Sequence, residues 1–334
     1  MSDSAINWRL VQRSTYATYA TSLGLAILSL ALISGPAFAQ SVDIPAIMDA
    51  DLKAPPTAVT VQYGHQFKAD VDDGDAEMSR NNAFISIAHR VKLSEKSTFF
   101  ALGSYTLHAY DFDSNSGSFY QWDDVHRAVI GGLFGYELND NWRLIGGGVV
   151  RSWGEGGADF GDSITGGLIV GFDYHPSEDF SIGLLVGAFS ALEDKVGLLP
   201  VPTMKWKFAE NWRWNVGMVN VFDPGVGTEI TWQVAETLSI GTGFVFQSRR
   251  YRLNDKTRAV DSRGRTDEGG VGQESEVPVF ASLKWKPTPK SSLDLLAGVA
   301  LAGNVRVESS AGGRLNDDSY DAAPFVGLKG AIVF

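Results

Sequence analysis

From about residue 57 to its end the chain alternates large apolar residues with small or polar ones at a period of two. In Trp212-Arg213-Trp214-Asn215-Val216-Gly217-Met218 the even positions are large and apolar, and between Val226 and Val234 the residues Val226, Ile230, Trp232 and Val234 alternate with Gly227, Glu229, Thr231 and Gln233. A helix would repeat its apolar face every three to four residues, so this pattern specifies strands with one apolar and one polar face. The connections carry a second pattern. Tight polar turns at Ser94 to Ser97, Asn139 to Asn141, Glu178-Asp179, Glu210-Asn211, Glu236-Thr237 and Pro287 to Ser291 take turns with mostly longer Gly-, Asp- and Ser-rich connections near 68–80, 110–121, 154–162, 190–197, 252–274 and 303–319. Short turns on one side and long loops on the other describe an all-β, antiparallel, up-and-down transmembrane β-barrel.

Fourteen strands are expected, within a range of 12–16, near 57–67, 81–93, 97–109, 122–138, 141–153, 163–175, 179–190, 198–208, 211–219, 225–235, 238–250, 275–286, 291–302 and 321–334. Each reaches roughly the 9–11 residues that a tilted membrane strand needs. An even count puts both termini on one side, the periplasmic one. Mean hydropathy of −0.05 excludes a bundle of membrane helices, and the absence of cysteine excludes disulfides, a thiol nucleophile and a cysteine metal site. A net charge of −11 makes the chain a poor binder of nucleic acid, whose recognition depends on neutralising phosphates.

Residues 1–39 read as a secretory signal peptide. Arg9 and Arg13 supply the positive start, Leu23 to Ile33 the apolar core, and Ala37-Phe38-Ala39 the small-x-small site for cleavage before Gln40. The core is short against the roughly 20 apolar residues of a spanning helix. Residues 40–56 read as a periplasmic linker, and residues 57–334 as the barrel.

Tyr136, Trp142, Tyr174, Phe180, Trp206, Phe208, Trp212 and Trp285 all fall near a short turn on the apolar face, as an aromatic girdle at a membrane interface requires. With these features the chain resembles Gram-negative outer-membrane β-barrel proteins over nearly all of residues 57–334. The last strand places Val326, Leu328, Ile332 and the terminal Phe334 on one face, similar to the C-terminal signal that such proteins present to the barrel-assembly machinery; Gly330 departs from that pattern. The stretch from Leu198-Leu199-Pro200-Val201-Pro202 through Lys205-Trp206-Lys207-Phe208-Ala209-Glu210-Asn211-Trp212 resembles an uncharacterised outer-membrane family known as a domain of unknown function. The resemblance implies a fold, outer-membrane lipid as surroundings, and periplasmic chaperones with the assembly machinery as partners during biogenesis. It implies no activity.

If the aromatic face meets lipid, the opposite register faces the lumen. That register carries the basic residues Arg90, Lys92, Arg143, Arg151, Lys205, Lys207, Arg213, Arg249, Lys284, Lys286 and Lys329 against the acidic Glu137, Asp173, Glu229 and Asp294, so a basic interior is expected in an acidic protein. The acidic excess lies in the long loops, beginning with Asp70, Asp72, Asp73, Asp75 and Glu77. Rings of Arg and Lys favour anions. The leading expectation is a porin-like channel for passive diffusion of small hydrophilic solutes, with anions preferred. A closed structural barrel and a transporter of hydrophobic compounds stay open beside it, the latter favoured by an apolar lumenal pocket with a side opening.

No cofactor, metal site or catalytic set is expected. His65, His89, His108, His126 and His175 are scattered without metal-ligand spacing. The best arrangement for a lipid-modifying enzyme would join His108 and His126 to Asp111, Asp123 or Asp124. The run Asp70-x-Asp72-Asp73-Gly74-Asp75 resembles a calcium loop only in part, because its glycine stands fifth rather than sixth and the distal acid is Asn81.

Overall fold

A computed structural model of the chain describes residues 57–71, 76–114, 122–192, 196–255, 258–260, 266–310 and 312–334. The expected signal peptide with its cleavage site, the expected linker and positions 72–75 of the calcium-like run lie outside the described residues. The strands are β1 (Thr57–Val71), β2 (Ala76–Lys92), β3 (Ser97–Ser114), β4 (Asp124–Asn139), β5 (Trp142–Glu155), β6 (Ile164–Ser177), β7 (Phe180–Ser190), β8 (Val196–Ala209) and β9 (Trp212–Asn220). They continue with β10 (Pro224–Ala235), β11 (Leu238–Arg252), β12 (Arg258–Val260), β13 (Thr266–Glu268), β14 (Val271–Thr288), β15 (Ser291–Glu308), β16 (Arg314–Tyr320) and β17 (Ala323–Val333). No helix occurs among the described residues.

Fourteen of these strands, β1 to β11 with β14, β15 and β17, form a closed antiparallel up-and-down barrel. Closure is made by β1 against β17, in register from Ala58↔Val333 to Gln66↔Phe325. Residues that face each other across a ladder share a face, so the register carries the inside and outside assignments around the ring. Val61, Ile85, Ile87, Ile130, Leu144, Leu168, Val170, Leu295 and Leu328 are exposed on the outer face. A contiguous apolar exterior on this scale is what lipid requires and water penalises.

The strands on the long-loop side run farther than the sequence reading placed them. β3, β14 and β15 each have 18 residues, and the stretches assigned to loops at 252–274 and 303–319 contain β12, β13, the start of β14, the end of β15 and β16. Beyond the bilayer there is no lipid to reward an apolar outer face, so the alternation that betrays a strand fades while its backbone ladder continues.

That overhang closes a second, narrower ring. Arg252 of β11 pairs in parallel with Gly154 of β5, and Val71 of β1 pairs with Tyr320 of β16. The Asn254 amide donates to Glu155 at 2.7 Å and its side chain donates to the Gly156 carbonyl at 2.8 Å, fixing the crossing. The upper ring therefore runs β1 to β5, then β11, β14, β15 and β16, and leaves out β6 to β10. Barrel diameter grows with strand number, and a ring of about eight strands has an interior that side chains just fill. The upper ring is filled accordingly: Met78, Tyr110, Trp122, Trp153, Tyr251, Val305 and Tyr320 pack there as one buried cluster.

Candidate functional site: a basic vestibule beneath a plug

The turn between β9 and β10 folds into the lumen. Val221, Phe222 and Asp223 are all buried. This tip crosses to the far wall, where Gln62 donates to the Val221 carbonyl and the Phe222 ring meets Phe325 edge-on at 4.9 Å. Phe222 lies directly over Gly64, where any side chain would collide with the ring. The β9–β10 ladder runs up to the pair Asn220↔Pro224, so that only Val221, Phe222 and Asp223 are left to form the tip, and Pro224 suits the first position of a strand.

Asp223 is the lower end of a buried ion network. Arg249 Nε donates to its carboxylate at 2.5 Å, Arg127 at 3.3 Å, and His108 Nε2 lies 3.4 Å away. Arg249 also donates to Glu276 at 2.7 Å and pairs with Glu274 at 3.1 Å. Arg80 binds Glu274, and it donates to Glu276 at 3.0 Å and to Gln66 at 2.7 Å. The Tyr110 hydroxyl donates to Glu274 at 2.6 Å. Three guanidinium groups thus face three carboxylates in the region that water leaves, the arrangement that lets buried charge survive.

Below the plug the lumen widens into a cavity of about 230 Å³ lined by Lys205, Lys284, Lys329, Asn215, Glu229 and Asp294 among others. Lys284 lies 3.8 Å from Asp294, and nearer the mouth Arg143 donates to Glu137 at 2.7 Å. The remaining predicted lumenal cations separate by height. Arg90, Lys92, Lys207, Arg213 and Lys286 continue the inward register to the short-turn mouth, where all but the half-buried Arg90 are exposed. Arg151 and Arg249 belong to the buried upper part, Arg151 donating to Thr165 at 2.7 Å. Asp173 sits inside, 3.3 Å from His175.

Asp223, Glu274, Glu276 and Arg80 were not among the predicted site residues. Their signal was parity: Glu274 and Glu276 stand on the same side of β14 as Lys284, and a strand extended upward by its own alternation would have included them. Asp223 had no such signal, since only the bent hairpin brings it inside.

On the outer face the predicted aromatics form a chain of rings around the short-turn end. Trp142 meets Tyr174 at 4.7 Å, Phe180 meets Trp206 at 6.5 Å, Trp206 meets Phe208 at 5.5 Å, and Phe208 meets Trp212 at 6.1 Å. Tyr136 and Trp285 are exposed at the same level, while Phe180 is buried beneath its neighbours. Val326, Leu328, Ile332 and Phe334 are exposed together on the outer face.

The enzyme-like arrangement does not assemble. His108 faces inward to Asp223 and Asn82, whereas His126 sits on the outer face, hydrogen-bonded to Tyr105 at 2.7 Å. The register makes the reason plain: His108 pairs with Val125 and His126 with Leu107, so the two rings lie on opposite faces of the sheet.

Among solved structures, the chain is similar to an outer membrane channel from Pseudomonas putida F1, at 13% identity and a TM-score of 0.47, over 86% of this chain and 98% of that one. It is also similar to a FadL homologue from Pseudomonas aeruginosa, at 13% identity and a TM-score of 0.46, over 91% and 96%. A third similar structure is the KdgM porin in complex with disordered oligogalacturonate, at 8% identity and a TM-score of 0.33, over 82% and 99%. No family model and no curated protein matches the chain.

Proposed function

We propose that this barrel is a channel of a Gram-negative outer membrane for small hydrophilic solutes, with anions preferred, and that the β9–β10 tip holds it shut. The membrane assignment rests on the apolar exterior, since transmembrane antiparallel barrels of this size belong to outer membranes. Both ends of the barrel, Ala58 and Val333, lie at the short-turn end, which faces the periplasm in such barrels.

The observation that carries the reading is the vestibule. Nine basic side chains on the inward register, from Arg90 and Lys92 to Lys329, surround a hydrated mouth that holds Glu137, Asp173, Glu229 and Asp294 as its acids. A mouth of this sign concentrates anions and favours their passage. Passage to the loop side then requires the tip to leave the lumen.

Planar-bilayer recording tests this. Wild-type protein should open rarely, Phe222→Ala should open more often, and the reversal potential in a salt gradient should lie on the anion side. A cation preference, or silence from both proteins, would sink the proposal.

A further inference from the structure

The wall of the lower barrel is split between β8 and β9. These strands are in register only from Met204↔Val216 down to Ala209↔Trp212, while β8 stays paired with β7 up to Ser190↔Val196. Among the described residues, 196–203 of β8 therefore have no ladder partner on their other edge. β9 turns away from β8 at Gly217, whose φ of 137° lies where side-chain-bearing residues rarely go.

Two prolines fit that free edge. Lys207 donates its backbone N–H to Asp179, on the β7 side. N–H groups point to alternate sides along a strand, and the β7–β8 register is unbroken. Pro200 and Pro202 therefore occupy positions whose N–H would face β9. The two prolines thus remove two donors that this edge would otherwise strand in lipid.

The seam is filled by side chains instead of a ladder. Met218 and Val226 of the leaning hairpin pack against Leu185, Phe189, Leu199 and Val201 on the inner faces of β7 and β8. The vestibule reaches the seam, for Leu185, Thr203, Val216 and Met218 line it together with Lys205 and Lys284. Packed apolar side chains are thus all that stands between this edge of the wall and a basic cavity.

We propose that this seam is a lateral portal for single-chain amphiphilic anions, the head drawn to the vestibule lysines and the tail passing between β8 and β9. The proposal rests on the vestibule assigned above and adds both a substrate class and a second route. Only apolar contacts need to part for it to open, and they re-form on the tail.

The chain has no cysteine, so an engineered thiol pair is unambiguous. Gly217 abuts Thr203, and Thr203→Cys with Gly217→Cys staples the seam. In lipid nanodiscs the reduced protein should bind labelled decanoate at least tenfold more tightly than acetate or decyltrimethylammonium, and oxidation should abolish that binding reversibly. A second variant, Pro200→Cys, places a bulky maleimide on the lip without touching Gly217, and labelling should weaken decanoate at least tenfold. Equal decanoate binding with the seam free or blocked in both variants would overturn the portal, as would acetate binding as tightly as decanoate. Chloride conductance, measured on the oxidised pair, tests the axial channel separately, so the portal can fail while the channel stands.

Discussion

The two stacked rings of this barrel solve opposite problems with the same kind of strand. The lower ring has fourteen strands, too wide for side chains to meet across it, and keeps a polar vestibule. The upper ring has nine, and its interior is as solid as the core of a water-soluble protein, with Trp122, Trp153 and Tyr251 buried at its centre. Charge follows width. In the plug network three guanidinium groups match three carboxylates where water is excluded, and cations predominate at the hydrated mouth, because an unmatched charge is costly only when desolvated. The tip with Asp223 joins the regimes, since it hangs from lower-ring strands and is gripped by Arg249 of the upper ring.

The sharpest way to break this contrast is Asp223→Ala. It leaves Arg249 and Arg127 buried beside an absent carboxylate, which should cost about 3–5 kcal/mol. A urea midpoint unchanged from wild type would show that the network does not hold the upper ring. Gly64→Val should act next, forcing Phe222 off β1 at a cost of about 1–3 kcal/mol from overpacking, with a rise in bilayer conductance as its signature. If conductance stays at the wild-type level, the tip is not the closure.

In the lower ring the same kind of charge removal should spare stability and alter selectivity. Lys284→Gln combined with Lys329→Gln should shift unfolding by no more than about 1 kcal/mol, the scale of hydrated pairs, while the reversal potential moves toward cations. A large loss of stability would mean that the vestibule is as dry as the plug.

The smallest effect belongs to the rim. Partial burial disfavours the Asp317 carboxylate, but hydrogen bonds from Asn304 and Arg306 and the charges of Arg306 and Arg314 outweigh it and hold its pKa below the ordinary 3.8. A depressed carboxylate pKa stabilises the fold above the unfolded value, and that contribution is lost as pH falls through the folded one. Asp317→Asn should therefore remove roughly 0.2–1 kcal/mol at neutral pH and progressively less as pH falls through the folded pKa, a trend that unfolding curves at a series of pH values would resolve.

How much of this the sequence displayed depends on what surrounds each segment. Lipid imposes a strict period on outward residues, so Trp212 to Met218 announces a strand, and the barrel with its fourteen segments is legible. Above the bilayer both faces of a strand meet polar surroundings or a mixed core, which is why Arg80 and Glu274 looked like loop charge. The inward fold of residues 221–223 is a tertiary event set by contacts with β1, β11 and β17, far away in the chain. No local pattern encodes it, although the prolines at 200 and 202, so awkward for an interior strand, mark the neighbouring edge as one that stays free.

The pairing of Ala58 with Val333 has a consequence for the order in which the molecule is made. It joins the two ends of the barrel across almost its whole length of chain, so the loop-closure cost delays it. The seat of the tip lies on that same joint, with Gln62 and Gly64 on one side and Phe325 and Gly327 on the other. Until the last strand docks there is no seat. The protein is consequently born open, and its own completion is the event that stoppers it.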